Sequence, residues 1–315
     1  MASRPRIGIS ACLLGAAVRY NGGHKASSLC DRLAEHFEFV PLCPETAIGL
    51  GIPRAPIRLV GDPAAPRAVG SRDPGLDVTE ALADYGTRMA QRLDDLSGFI
   101  FMQRSPSCGM QRVKVYRDNG YPTEGGGSGV FAQAFRAARP DLPMEEEGRL
   151  HDPVLRENFV TRVYVCADWD ALCRDGLSRG AILDFHARHK YLLMANDPDS
   201  YKTLGHLLGD IGQHDPAQLG PRYFSRLMAA LGKCATRGTH SNVLQHLSGY
   251  LKRALDGGDR RELRQLIDQY RDGVVPLVVP LTLLKHHLRQ HPDDYLARQV
   301  YLQPHPETLS LRNAI

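Results

Sequence analysis

At 315 residues the chain is long enough for two domains. Its 43% hydrophobic and 23% charged residues exclude a disordered or fibrous class, and a net charge of +4 permits an anionic partner without demanding one. No segment reaches the roughly 18 apolar residues that span a bilayer, and MASRPRIGIS lacks the apolar core of a secretory signal, so a cytoplasmic protein with no membrane partner is expected. Seven cysteines at irregular spacing then read as thiols, metal ligands or redox groups rather than structural disulfides.

In chain order, Arg6–Ser10 is a β-prone run ending just before Cys12. A helical pattern follows over Ala26–His36. Glu38–Leu42 is a second β-prone run, ending at Cys43. A longer helix spans Asp77–Asp95, and Gly98–Met102 is a third strand, leading to Cys108. Val113–Arg117 is a candidate added strand, and Ser128–Ala138 a helix entered through a glycine run. Strands alternating with helices predict a mostly parallel, Rossmann-like α/β sheet. Residues 139–165 read as a connector, broken by Pro140, Pro143 and Pro153, with an acidic run Glu145–Glu147 and a short helix around Val154–Val163.

From residue 166 the strand signal fades. Residues 182–195, 201–208, 218–231, 242–255, 260–271, 277–289 and 293–301 carry apolar side chains at three- and four-residue spacing, with Gly257-Gly258 and Pro292 as stops. The expected division is an α/β domain over 1–160 and an all-α domain over 166–315. Eleven of the thirteen histidines follow residue 150.

Cys12, Cys43 and Cys108 each follow an expected strand. Loops after the carboxyl ends of parallel strands gather at one edge, so the three can converge. Three thiolates suit a soft metal or an iron–sulfur cluster, and three ligands on a 4Fe–4S cluster leave one iron open as a Lewis acid. The plain alternative is three buried thiols packed as small hydrophobes. Cys30, Cys166, Cys173 and Cys234 fit that alternative, having no partner motif. Glu45 and Ser105 lie two and three residues from proposed ligands and can handle a proton or position water; a helix-terminal carboxylate and a turn hydroxyl are their structural alternatives. The turn Arg19–Lys25 and the run Gly125–Gly129 read as loops; the second precedes a helix and can present N–H groups to an anion, but lacks the Lys-Ser/Thr of a nucleotide-binding P-loop.

SACLLG with VRYNGGHK, VPLCPE, GLGIPR and RSPSCG, in that order across about residues 5–160, together resemble the thiouracil desulfidase family. The resemblance implies a 4Fe–4S cluster held by Cys12, Cys43 and Cys108, with acid/base and water-handling roles on Glu45 and Ser105; Ser107 lies close by as the other candidate serine. FHARHKYLLMA (185–195), YKTLGHLLG (201–209) and TRGTHSNVLQHLSGYLKR (236–253) resemble a helical domain often fused to this one. Such fusions are similar to desulfidases of 4-thiouridine in tRNA, which makes tRNA the implied partner. Asn196 departs from that pattern, standing where a histidine is expected.

On a helix, His186, His189 and Lys190 share a face. Arg237, His240, Tyr250, Lys252 and Arg253 add cationic and stacking groups suited to RNA; a solvated helix face with some buried histidines is the alternative. The expected reaction is hydrolytic, non-redox removal of sulfur from a thiolated pyrimidine, giving uridine and hydrogen sulfide. The rivals are a desulfidase of free thiobases, a non-catalytic iron–sulfur sensor that binds nucleic acid, and a zinc-stabilised module.

Overall fold

The computed structural model describes residues 4–117 and 119–315. The chain forms two compact units, Met1–His151 and Asp152–Ile315. The first runs β1 (Arg6–Ser10), α1 (Ser28–Leu33), β2 (Glu38–Leu42), α2 (Pro44–Ala47), β3 (Ile57–Val60), β4 (Arg67–Gly70), α3 (Thr79–Arg92), β5 (Gly98–Phe101), β6 (Val115–Tyr116), α4 (Val130–Ala138) and β7 (Met144–Glu146).

β2, β1, β5 and β7 form, in that order, a wholly parallel sheet. β1 lies inside it, paired with β2 from Arg6↔Glu38 to Ser10↔Leu42 and with β5 from Ile7↔Gly98 to Ile9↔Ile100. Ile7 and Ile9 are fully buried, as an inner parallel strand with both faces covered requires. The register aligns the carboxyl ends of β1, β2 and β5, so the segments leaving them start side by side. Helices α3 and α4 pack closely at Gly86, where a Cβ would come within 2.8 Å of the Phe131 carbonyl oxygen. Phe99, Phe101, Phe131 and Phe135 fill the core beneath them, the first two rings stacked at 4.1 Å.

A second sheet, order β4-β3-β6, was not expected beyond the candidate strand at Val113–Arg117. Ile57, Leu59, Ala68 and Val115 bury its inner face against Val78 and Leu82. The acidic run in the expected connector is also structured: Met144–Glu146 is β7, the edge strand beside β5. Its carboxylates serve as acceptors. Glu146 takes the Met110 and Gln111 N–H groups at 2.8 and 3.4 Å, and Glu147 takes the Ser27 hydroxyl at 2.5 Å.

The second unit runs α5 (Pro153–Asp175), α6 (Arg179–Asn196), α7 (Pro198–Gly209), α8 (Pro216–Leu231), α9 (Arg237–Tyr250), α10 (Gly257–Arg271), α11 (Val278–Gln290) and α12 (Asp294–Ala297), with no strand among its described residues. The chain is thus α/β, then all-helical. Side chains of Asp152, Ser178, Asp197, Asp215, Thr236, Asp256 and Asp293 cap the helices from α5 to α10 and α12. The short helix expected near Val154–Val163 is the start of the 23-residue α5. Gly257-Gly258 does not stop a helix; with Asp256 as the cap, it opens α10. No described helix is long and apolar enough to cross a membrane.

Candidate active site

Three strand ends supply the thiols. Cys12 sits in the single 3-10 turn Ala11–Leu14 directly after β1. Cys43 occupies the position before α2, directly after β2, where Pro44 fixes the first helical turn. Cys108 lies in the loop that leaves β5. All three line one cavity of about 420 Å³ at the carboxyl edge of the sheet. Burial pushes the Cys12 thiol up to about 11 and the Cys108 thiol up to about 12; neighbouring Cys43 adds to the first and Glu45 to the second.

No three His, Cys, Asp or Glu among the described residues are grouped for a single metal ion. Such an ion needs every donor about 2.0–2.3 Å from one point. A cluster instead places each cysteine on a different iron, so its ligands stand around a volume. Three cysteines lining one cavity fit the second requirement, and the cavity holds only one carboxylate to compete with them, Glu45.

That carboxylate is held on both oxygens. Arg54 donates through Nε and Nη2 to Glu45 Oε2 at 2.9 and 2.7 Å, and Ser107 donates to Oε1 at 2.6 Å. The arginine side chain is 5% exposed and that of the glutamate 14%. Nη1 of Arg54 also donates to the carbonyls of Val18 and Gly51 at 2.9 and 3.0 Å, tying two loops to the carboxylate. Ser105 stands one step back. Its Oγ lies 2.9 Å from Ser107 Oγ and accepts from the Ser107 and Cys108 N–H groups at 3.3 and 3.1 Å. A chain of donors therefore runs Ser105→Ser107→Glu45, with Ser107 in contact with the carboxylate. Sequence reasoning missed Arg54, although GLGIPR contains it; only a carboxylate nine residues upstream could have drawn attention to it.

The Ser105–Cys108 loop is braced by the glycine run. A Cβ on Gly129 would lie 2.5 Å from the Ser107 carbonyl carbon and oxygen. The first N–H groups of α4 do not face an anion: Val130 donates to Pro106 O and Ala132 to Ser107 O, both at 3.1 Å. The plain-loop alternative therefore holds for Gly125–Gly129. The turn Arg19–Lys25, in contrast, contributes Arg19, Tyr20 and Lys25 to the cavity wall.

In the second unit the candidate RNA-binding residues scatter. His189 is buried, with Nδ1 2.8 Å from Phe185 O and its ring stacked on Phe185. His240 is buried, with Nδ1 2.9 Å from the Tyr301 hydroxyl, and His186 Nδ1 is 3.1 Å from the Tyr223 hydroxyl. Burial holds all three imidazoles below their ordinary range, His186 and His240 to about 4. Lys190 lies between the rings of Tyr191 and Tyr295, 5.0 and 4.8 Å from their centroids. Arg237 donates to the carbonyls of Tyr270 and Val275. Lys252 is exposed and lines a separate cavity. Asn196 donates to Leu192 O. Cys30 and Cys166 are buried inside helices, Cys234 is half-buried and Cys173 is exposed.

A family profile described as 2-thiouracil desulfurase matches residues 7–147, and one described as a protein of unknown function (DUF1722) matches residues 190–306. The uncharacterized protein YbgA of Escherichia coli (strain K12) is 33% identical over 159 residues, covering 50% of this chain and 94% of its own. The uncharacterized protein YbbK of Bacillus subtilis (strain 168) is 30% identical over 145 residues, covering 44% of this chain and 95% of its own. The chain belongs to the 2-thiouracil desulfurase family. Its match to that family contains Cys12, Cys43, Glu45, Arg54, Ser105, Ser107 and Cys108, whereas Lys190, Arg237, His240 and Lys252 fall in the DUF1722 match. A solved 4Fe-4S-dependent thiouracil desulfidase, TudS, is 31% identical over a match covering 47% of this chain and 94% of that one, with a TM-score of 0.38.

Proposed function

We propose that this 2-thiouracil desulfurase family protein hydrolyses the carbon–sulfur double bond of a thiolated pyrimidine, most specifically 4-thiouridine in tRNA. Water supplies the oxygen, and uridine and hydrogen sulfide leave, so no oxidant or reductant is consumed. One observation carries the assignment: three cysteines line the same cavity as a carboxylate whose two oxygens are held by different donors.

Cys12, Cys43 and Cys108 would hold a 4Fe–4S cluster, which supplies an open iron as a Lewis acid for a thiocarbonyl sulfur. The chain's own residues do the rest. Glu45 accepts a proton from the water that attacks the ring carbon. Ser107 aims Oε1, Arg54 fixes Oε2, and Ser105 orients the Ser107 hydroxyl while its oxygen holds the Cys108 N–H. A base carried in tRNA must leave its stack to enter a cavity of this size.

The test is anaerobic: iron and sulfide are quantified in the purified protein, which is then incubated with tRNA containing 4-thiouridine while the thione absorbance is followed. About four irons per chain together with loss of that absorbance supports the proposal. Four irons with no loss on tRNA or on free thiobase overturns it in favour of a sensor, and a colourless zinc protein removes the cluster. The matched family's description favours a second substrate, 2-thiouracil itself; equal turnover of free thiobase and thiolated tRNA would establish that alternative.

A further inference from the structure

The reaction proposed above uses the cysteines, Glu45, Arg54 and two serines of the 420 Å³ cavity, but Gln103, two residues after β5, also lines it. Gln103 is half-buried. Among the described residues it is the one side-chain amide on the cavity wall, and no protein group there hydrogen-bonds to it. The other polar side chains of the wall are committed or one-sided. Both Glu45 oxygens are held by Arg54 and Ser107, and Ser105 is bonded to Ser107. Ser10 Oγ accepts the Met102 N–H at 2.9 Å. Arg19, Lys25 and Arg104 can only donate, and Tyr20 offers a single oxygen. Gln103 presents an acceptor and a donor side by side.

Its surroundings place that amide. The Ser10 bond ties Met102 to the end of β1. The Glu147 N–H donates to Phe101 O at 3.0 Å, which brings the turn after β7 alongside the end of β5. Gly148 follows in that turn. A Cβ built on Gly148 would lie 2.2 Å from Gln103 Oε1, 2.5 Å from Cδ and 2.6 Å from Nε2. The backbone of Gly148 is not left-handed, so its lack of a side chain matters for space rather than for conformation. The amide rests against bare backbone, in room that any other residue would fill.

We infer that Gln103 reads the ring of the thiolated pyrimidine, its Oε1 accepting from N3–H and its Nε2 donating to the ring carbonyl beyond. The substrate class is taken from the proposed function. Next to the thiocarbonyl, a 4-thiouracil ring runs N3–H and then the C2 carbonyl, and a 2-thiouracil ring runs N3–H and then the C4 carbonyl. Either presents a donor and an acceptor in the order that one side-chain amide can pair with both at once, as glutamine does with the edge of a base. A ring without the N3 proton leaves the amide oxygen unpaired, and a site built around a hydrogen bond rejects an analogue that lacks it.

The experiment compares ligands that differ only at N3. Equilibrium dialysis of the anaerobic, iron-loaded full chain against uridine and 3-methyluridine reads binding without turnover. The parent should prefer uridine about tenfold or more, the scale of a paired amide. Gln103→Met keeps the bulk and removes the amide. Gly148→Ala keeps the amide and displaces it, and because only the end of a flexible side chain must move, its urea midpoint should match the parent. Both variants should bring the preference to within about twofold of unity. The ratio of kcat/KM for 4-thiouridine over 3-methyl-4-thiouridine should shift in the same way, at parental iron content. Equal binding of the two nucleosides by the parent overturns the inference, as does a preference that survives in both variants. A loss of kcat/KM that is the same for both thionucleosides reduces Gln103 to a structural role and also overturns it. If uridine is preferred through Gln103 while no thiolated pyrimidine releases sulfide, the inference stands and the proposed function falls.

Discussion

Ser107 Oγ donates to Glu45 Oε1 at 2.6 Å across 62 residues of sequence. Ser107 lies in the loop after β5 and Glu45 in α2 directly after β2, and the parallel register aligns those strand ends. Ser105 reaches Glu45 only through Ser107. Ser107→Ala should therefore slow desulfidation about 100-fold, the scale of a displaced acid–base group, while iron content stays unchanged. Ser105→Ala should slow it less but shorten iron retention, because the Cys108 N–H loses its acceptor. Turnover and iron per chain, measured anaerobically for both variants, decide the matter; equal rate losses with equal iron would sink the distinction.

Arg54 and Glu45 form a buried pair in which two guanidinium nitrogens converge on one carboxylate oxygen, Oε2. Breaking such a pair from one side costs about 3–5 kcal/mol, because the remaining charge stays desolvated. Arg54→Ala should lower the urea midpoint of the first unit and abolish turnover together. Arg54→Lys keeps the charge but not the fork; it should retain most of the stability and reduce kcat far more than it alters KM. A lysine variant with parental kcat would remove the positioning role.

At Gly129 an added methyl has no room, since its Cβ would lie 2.5 Å from the Ser107 carbonyl and 2.9 Å from the Cys108 nitrogen. The neighbours are backbone, so the loop itself must move, and overpacking of this kind costs about 1–3 kcal/mol. Gly129→Ala should reduce iron loading as well as stability. Gly180→Ala on α6 is the matched control: nothing lies within 4 Å of its Cβ, and a gain of about 0.4–1 kcal/mol is expected from the less flexible unfolded chain. Iron loading equal in the two variants would show that the Gly129 contact does not support Cys108.

The parallel sheet was legible because β1 and β5 are buried and read as apolar runs, and the cysteines were legible because Cys12 and Cys43 directly follow β1 and β2 and Cys108 lies in the segment leaving β5. β3, β4 and β7 were not. Ile57–Val60 and Arg67–Gly70 are four residues each and alternate too briefly to register. Met144–Glu146 carries two glutamates, which mark a solvated linker unless their acceptor role is known; Glu146 is buried because the Met110 and Gln111 N–H groups need it. The priority of Ser107 over Ser105 depends on which hydroxyl points at Glu45, a direction that no spacing encodes. Histidine content misled in the second unit, where His189 and His240 face the interior and bond to a carbonyl and a phenol. The arginines of α10 drew no reading of their own, since the cavity they line needs the fold of the Leu251–Arg253 turn.

Acid should unfold the second unit through its half-buried and buried histidines, His186 and His240. An imidazole whose pKa is lowered by burial stabilises the fold fully above its unfolded value and loses that contribution as pH falls towards the folded value. His186 and His240 drop from 6.5 to about 4, and each therefore removes about 2 kcal/mol between pH 8 and pH 5. Glu157 extends the trend below that window. Although burial works against ionisation, His305 and Arg312 hold the carboxyl down at about 2, so its contribution is full above 4.5 and fades as pH falls towards 2. Trp169, the chain's single tryptophan, stacks on Phe224 at 5.0 Å inside this unit, so its fluorescence reports that unit's core. The urea midpoint read from it should fall by roughly 1–2 M from pH 8 to pH 5, and a His186→Phe/His240→Phe variant should flatten the dependence. A parental midpoint that stays constant across that range would show that these histidines are protonated at no cost in the folded state.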